Sequence, residues 1–325
     1  MTAALKFAAA VAALWLGAGA SSHAQTAYPN RPIRIVNPFS AGSPVDFVGR
    51  LIAQKLEAAW SQPVLVEVRS GAGGTIGANS VAKAAPDGYT LLVTSPSTIT
   101  SAPVLVKGLP YDPVRDFAPI WAVHSGGLVV TVHTSLPVRT LGEFVQYARE
   151  RPGRLSFAST GHGTTQHLAA ELFMARTGIK LVHVPYRGGP AANTDLIAGH
   201  VQVMFDSLSN TYQPIQAGRL RGLALLRPQR SPLLPDVPTA REAGVIGSEM
   251  GGFLGLFAPA GTPQDILQKL YVTLGPAMSE PETAGLLFAG GNENEFMLGD
   301  AFAKRIVEEM NLFIEIAEKA GIKPQ

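Results

Sequence analysis

The chain contains no cysteine, which excludes disulfide staples, thiolate-bound zinc, iron–sulfur clusters and thiol nucleophiles. Charge is scarce as well. Asp, Glu, Lys and Arg make up 15% of the residues, against roughly 25% in an average domain. Twenty-six Lys and Arg against 24 Asp and Glu leave a formal net charge of +2 over 325 residues. That balance gives no basic stripe for nucleic acid. No segment has the roughly 20 consecutive apolar residues of a spanning helix, the N-terminal run Phe7–Leu16 included. Also missing are a G-x-S-x-G nucleophile elbow and a G-x-x-x-x-G-K-[ST] phosphate loop. What remains is a sparsely charged, loop-rich globular chain with 34 Gly and 25 Pro, long enough for two domains of roughly 100–200 residues each.

The N-terminus is set apart by its pattern. Lys6 precedes the apolar run, small residues follow it, and Ser22-His23-Ala24 places small residues at −3 and −1 of a cleavage site. This is the layout of a secretory signal removed after Ala24, and it predicts an exported, periplasmic protein. With no Cys beside Ala24, a lipoprotein anchor is excluded.

Beyond it, strand-length apolar runs alternate with helix-period segments. Ile33–Val36, Val64–Val68 and Tyr89–Val93 read as strands. Val45–Trp60, with Val45, Val48, Leu51, Ile52, Leu56 and Ala59 on one face, and Ile76–Ala84 read as the helices between them. This β-α-β-α-β order predicts a parallel sheet with right-handed crossovers. After the Pro-rich stretch Leu109–Pro113 the rhythm restarts with strands at Leu128–Val132, Leu155–Ala158, Leu181–Val184 and Val201–Phe205. Helices are expected at Leu141–Glu150, Gln166–Thr177 and Pro190–Ala198. A strand at Leu223–Leu226 precedes a Pro-rich loop, and Thr239–Glu242 and Thr262–Asp265 look like capping boxes that each open a helix. A last helix over residues 300–320 is expected to bury Phe302, Ile306, Met310, Phe313, Ile314 and Ala317 and to stop at Gly321. The order predicts two α/β lobes, each a mostly parallel sheet flanked by helices, the second inserted in the first. Residues 1–24 are the signal, 25–122 and 227–325 the first lobe, and 123–226 the second. Chain crossings near Trp121–Val123 and Leu223–Leu226 would act as the hinge.

Open α/β sheets bind ligands beyond the carboxyl ends of their strands. After the first strand comes Asn37-Pro38-Phe39-Ser40-Ala41-Gly42-Ser43-Pro44-Val45-Asp46, where Ser43 suits an N-cap, Pro44 the first helical position and Asp46 the box partner. A helix start of this kind favours an anion, although a capping box stabilises any helix. Ser159-Thr160-Gly161-His162-Gly163-Thr164-Thr165 is a second donor-rich turn, and Thr94–Thr98 and Asp206-Ser207 are further polar strand ends. Together they suggest one cleft. Gly71-Ala72-Gly73-Gly74-Thr75-Ile76-Gly77 imitates a dinucleotide loop, but Ile76 stands where the third glycine belongs, so a plain tight turn is expected and no cofactor. His162 and His167, without a pair of carboxylate ligands nearby, do not read as a zinc site; His167 falls in a first helical turn and His183 in a strand. No catalytic set assembles; the alternatives to an importing receptor are a periplasmic α/β enzyme acting on a small carboxylate with His162 as base, and a ligand sensor that signals rather than imports.

Several short motifs in order carry a family resemblance. They are Tyr28-Pro29-Asn30-Arg31-Pro32-Ile33, Pro38-Phe39-x-x-Gly42-x-x-x-Asp46, Arg69-Ser70-Gly71-Ala72-Gly73-Gly74 and Pro86-Asp87-Gly88-Tyr89. Leu109-Pro110-Tyr111-Asp112-Pro113, His183-Val184-Pro185-Tyr186-Arg187-Gly188, Leu234-Pro235-Asp236-Val237-Pro238-Thr239 and Ala258-Pro259-Ala260-Gly261-Thr262-Pro263 complete them. The chain resembles the Bug family of periplasmic solute-binding proteins, the receptors of tripartite tricarboxylate transporters. The resemblance implies a two-lobed periplasmic-binding fold that closes on a small carboxylate, a monomer that serves integral membrane subunits and needs no cofactor, metal or nucleic acid. Carried over, Phe39, Ser40, Ala41, Gly42 and Ser43 would line one wall and Thr160, Gly161, His162, Gly163 and Thr164 the other. Ser95 and Asp206 would lie at matching strand ends. The family loop usually reads Pro-Phe-Pro-Pro-Gly-Gly, whereas Pro38-Phe39-Ser40-Ala41-Gly42-Ser43 has two fewer prolines and one fewer glycine.

Overall fold

Strands and helices alternate from Ile33 onward in the computed structural model, which describes residues 28–324 apart from 249, 251 and 321. The signal segment and the stop at Gly321 lie outside the described residues. The first unit comprises β1 (Ile33–Asn37), α1 (Pro44–Trp60), β2 (Val64–Val68), α2 (Thr75–Ala82) and β3 (Thr90–Thr94). A π-turn at Ser97–Ser101 and α3 (Ala102–Leu105) lead to β4 (Phe117–His124). Then come β5 (Leu128–His133), α4 (Leu141–Arg149), β6 (Ser156–Ser159), α5 (Thr165–Thr177) and β7 (Val182–Pro185). They are followed by α6 (Gly189–Ala198), β8 (Val203–Ser207), α7 (Leu208–Gln216) and β9 (Leu220–Leu225). The chain returns through β10 (Phe253–Pro259), α8 (Gln264–Ser279), α9 (Pro281–Ala289), β11 (Glu293–Leu298) and α10 (Gly299–Ala320).

Two sheets result, in the orders β11-β4-β10-β3-β1-β2 and β7-β6-β8-β5-β9. In the first, β1 runs parallel to β2 and β3, and in the second β6 runs parallel to β7 and β8. The remaining strands pair antiparallel. Each sheet is therefore mixed rather than mostly parallel. Of the antiparallel strands, β4, β5, β9 and β10 carry the chain between sheets and back, and β11 adds an edge to the first. In both parallel halves the chain departs to opposite sides of the middle strand, which leaves a crevice at its carboxyl end. The two crevices hold the candidate site.

Apolar spacing explains the packing. Val45, Val48, Leu51, Ile52, Ala53 and Leu56 of α1 are buried, and full burial of a Leu or Ile side chain contributes about 1.5–3 kcal/mol. Ala59, expected on that face, is exposed in the last turn. α10 places Phe302 and Ile306 in the core of the first sheet, and Phe313 and Ala317 in the cluster built on the second. Phe302 meets Phe253 edge-on at 5.0 Å. Ile314 is exposed and Met310 only partly buried, contrary to expectation; the polar Glu309 is buried instead. Its carboxylate accepts from the Thr100 hydroxyl at 2.9 Å and from Arg305 at 3.3 Å.

Of the two expected helix starts, the one at Thr262–Asp265 is present without its cap, and the one at Thr239–Glu242 fails for a local reason. The Thr239–Glu242 box does close, with Thr239 N–H donating to Glu242 at 2.8 Å and Glu242 N–H to Thr239 Oγ1 at 3.1 Å. Only a turn forms, because the chain swings away at Gly244 with φ +84°. At the other box Thr262 Oγ1 donates to Pro259 O at 2.8 Å instead of capping, so α8 begins at Gln264.

The chain crosses between sheets at Ser125-Gly126-Gly127, just beyond the predicted Trp121–Val123, which is fully buried within β4. Gly126 and Gly127 have φ +69° and +78°, a pair of left-handed residues that only glycine adopts without strain. The Pro-rich loop after β9 stays with the second sheet. Leu233 and Leu234 pack with Val129 and Leu225, and Ala240 and Met250 join the second core. The return thus comes beside the first crossing, where Ser125 N–H donates to Gly252 O at 3.2 Å, rather than at residue 227. Nearby, the buried Glu293 carboxylate accepts from Arg227 and lies 3.4 Å from His124 Nδ1. Burial alone would raise its pKa, but His124 and Arg227 outweigh that and bring it to about 2.

Candidate functional site

A cavity opens where the two crevices face each other. From the first sheet it is lined by Phe39, Ser43–Val45 and Ser95–Ser97; from the second by Thr160, Thr165, Gln166, Gly189, Asp206, Ser207 and Asn210. Ser125, Leu128 and 252–254, the crossing segments, form its floor. The first turns of α1, α5 and α6 line it, as does Ser207, the residue before α7. A helix start presents N–H groups without partners inside the helix, together with the positive end of its dipole. None of the lining residues is Lys or Arg, and Asp206 is the sole titratable one.

The first wall is held from behind. Ser43 caps α1 by accepting from Asp46 N–H at 3.2 Å. The buried Asp46 carboxylate accepts in turn from Asn37 Nδ2, Gly42 N–H and Arg50 Nε at 3.2, 3.1 and 2.9 Å. Burial favours the neutral acid there, but the bonds from Arg50, Gly42 and Asn37 prevail and keep Asp46 below the usual carboxylate range. Asn37 Oδ1 also accepts from Phe39 N–H at 2.9 Å, which sets the ring toward the cavity.

The second wall is a chain of amides and hydroxyls. Thr160 Oγ1 donates to Gln166 Oε1 at 3.0 Å, and Gln166 Nε2 donates to Asp206 Oδ1 at 3.1 Å. Asp206 accepts further from Ser207 N–H at 2.8 Å and from Asn210 Nδ2. Burial raises its pKa, and these neutral donors only partly offset the effect because, among the described residues, no cation is beside it. The walls touch. Thr165 N–H donates to Ser97 Oγ at 3.2 Å, and the Thr165 hydroxyl lies 2.9 Å from that of Ser101.

Of the residues singled out from sequence, Phe39, Ser43, Ser95, Thr160 and Asp206 line this cavity. The others do not. Ala41 and Gly42 are exposed, and the Ser40 hydroxyl is buried against Gly188 without a hydrogen-bond partner. Gly161 and His162 face a neighbouring cavity with Gly71–Gly74 and Pro185–Gly188. The Gly-rich loop is occupied by packing there: a Cβ on Gly73 would lie 2.5 Å from His162 O. Gly163 has φ +77° and lies against Val106, and Thr164 is the buried N-cap of α5. Sequence reading missed Gln166 and Asn210 as lining residues and carried Thr165 only as the end of a donor-rich turn. The signal was available, since all three sit in the first turn of a helix that follows a polar strand end.

Fold and site together define a periplasmic-binding-type protein, two α/β sheets around a cavity rich in backbone and hydroxyl donors. The sequence matches the family described as "Tripartite tricarboxylate transporter family receptor" over residues 48–322, and the chain belongs to that family. Receptors of this family are periplasmic solute-binding proteins. Among solved structures, the chain is similar to the periplasmic binding protein BugD, with 33% identity and a TM-score of 0.86 over 92% of this chain and 100% of the other. It is similar to Rpa4515 of R. palustris, solved with adipate, at 32% identity and a TM-score of 0.86 over 92% and 100%. MatC from Rhodopseudomonas palustris, solved with malate, shows 31% identity and a TM-score of 0.82 over 89% and 99%.

Proposed function

We propose that this protein is a periplasmic receptor that captures a small organic carboxylate between two lobes and delivers it, as a monomer, to the membrane subunits of a tripartite transporter. The observation that carries the reading is the convergence of helix starts on a cavity without Lys or Arg. Such a cavity favours a carboxylate through N–H groups, hydroxyls and dipoles. Adipate and malate, with which two of these similar proteins were solved, belong to the same chemical class. Lobe one comprises the first sheet and its helices, and lobe two the inserted second sheet. Gly126–Gly127 and the adjacent return strand act as the hinge, and the Ser97–Thr165 bonds form on closure. The ligand drives closure by its greater affinity for the closed state.

An enzyme with His162 as base fits less well, because His162 faces the neighbouring cavity and the site cavity holds no other titratable group than Asp206. The test is a thermal-shift screen against mono-, di- and tricarboxylates, followed by recovery of the bound acid. A ligand at 100 times its Kd stabilises by about 2.7 kcal/mol, a rise of a few degrees in Tm. The reading requires one class of acid to raise the midpoint and to be recovered unchanged. A flat screen with folded protein, or conversion of the acid, overturns it.

A further inference from the structure

Three histidines far apart in the sequence meet behind the second wall. His162 comes from the loop after β6, His167 from the first turn of α5 and His183 from β7. One ring nitrogen from each lies within 4.8 Å of those of the other two. We propose that His162, His167 and His183 form a binding site for a divalent first-row transition metal of the Zn2+ class, with Glu171 or water as the fourth ligand. The proposal does not depend on the carboxylate reading. Although His162 and His167 alone do not read as a zinc site, the fold adds the third imidazole.

The donor set suits such an ion, since three neutral imidazoles with one further position is a recurring zinc arrangement. Zinc–nitrogen bonds of about 2.0 Å place tetrahedral ligands about 3.3 Å apart, so modest side-chain rotation closes the set. Glu171 stands one helical turn beyond His167, its Oε1 3.6 Å from His167 Nε2. A supporting outer contact exists too: Ser159 Oγ lies 2.6 Å from His183 Nε2 and 3.1 Å from Gly161 O. With the hydroxyl donating to the carbonyl, it accepts from His183 Nε2–H and leaves Nδ1 its lone pair. Surface cavities reach both His162 and the His167–Glu171 pair, which provides a path of entry.

The competing explanation is an aromatic stack. Phe157, His183 and His167 lie nearly parallel, with centroids 4.7 and 4.2 Å apart. The experiment is titration of the EDTA-stripped, untagged protein with Zn2+ against a chromogenic chelator, in wild type, His162→Ala and His200→Ala. His162 is exposed on its loop and His200 lies outside the cluster, paired with Asp195 at 3.2 Å. The proposal expects one Zn2+ per chain, at least tenfold weaker binding in H162A, unchanged binding in H200A, and an absorption-edge spectrum with a shell of imidazole nitrogens. No stoichiometric Zn2+ in the wild type, or equal affinity in H162A with intact circular dichroism, overturns it and leaves the stack as the whole account.

Discussion

Each wall of the cavity carries a buried aspartate, and the protein treats the two in opposite ways. Asp46 turns away from the cavity, its carboxylate binds the guanidinium of Arg50 and two other polar partners, and it is held ionised. Asp206 lines the cavity, has only amide and backbone donors, and is pushed toward the neutral form by burial. The difference separates scaffold from recognition. The first wall offers a fixed backbone and a helix dipole, whereas the second offers side chains whose donors and acceptors a ligand can compete for.

The largest expected effect comes from breaking the scaffold. Asp46→Ala strands the Asn37 amide and the Gly42 N–H and should cost about 2–3 kcal/mol, lowering the apo Tm by several degrees. Calorimetry that finds the midpoint unchanged would remove Asp46 from that role. The pH profiles sharpen the contrast. Because the folded pKa of Asp46 lies below its ordinary value of 3.8, its stabilisation is full above that value and disappears as pH falls through the lower folded pKa. For Asp206 the folded pKa is raised, so the unfolded chain gives up its proton first. Its contribution therefore becomes less favourable as pH rises above 3.8 toward the folded value. Urea unfolding of Asp206→Asn between pH 4 and 7 should show the variant gaining on the wild type as pH rises. Parallel curves would mean that Asp206 is not raised.

On the recognition side the effect should move from stability to affinity. Gln166 links Thr160 to Asp206, and Gln166→Leu keeps its volume while removing both bonds. Loss of a buried polar contact of about 1.5–3 kcal/mol corresponds to a 10–100-fold weaker Kd for the acid found in the screen. Isothermal titration should register that loss while the apo Tm moves by about two degrees or less. A large fall in Tm with unchanged Kd would place Gln166 with Asp46, among the scaffold.

The parallel half of each sheet and its helices were legible because each strand is a short apolar run and the segments between have helical length, with a 3.6-residue face in α1. β10 and β11 were not. Phe253–Pro259 is a continuous apolar segment whose role as a return strand depends on pairing with β3 and β4, more than a hundred residues earlier. The capping signal at Thr239–Glu242 was read correctly as chemistry and wrongly as a helix, since the hydrogen bonds of a box form equally well around one turn. At the site, strand ends located the cavity, but glycine-rich loops drew attention to Gly161–Gly163 and Ala41–Gly42. Those glycines serve turn geometry and close packing, while the cavity is lined by the residue types that follow them, Thr165, Gln166 and Asn210. The histidine cluster was invisible because its members reach one point only through the adjacency of β6 and β7.

The smallest expected effect tests whether the walls meet as part of binding. Ser97 belongs to the scaffold side, yet its hydroxyl accepts from Thr165 N–H at the start of α5 on the other wall. Ser97→Ala removes that acceptor and the longer 3.3 Å contact to the Thr165 hydroxyl, which keeps Ser101 at 2.9 Å. If the contact forms only in the closed state, its loss shifts the open–closed balance by the net value of one hydrogen bond, about 0.5–1.5 kcal/mol. The Kd should then rise about 2–10-fold, through a faster off-rate in stopped-flow, with the apo Tm unchanged. An equal fall in apo stability without change in off-rate would show instead that the two walls are already joined before the ligand arrives, so that scaffold and recognition form one body.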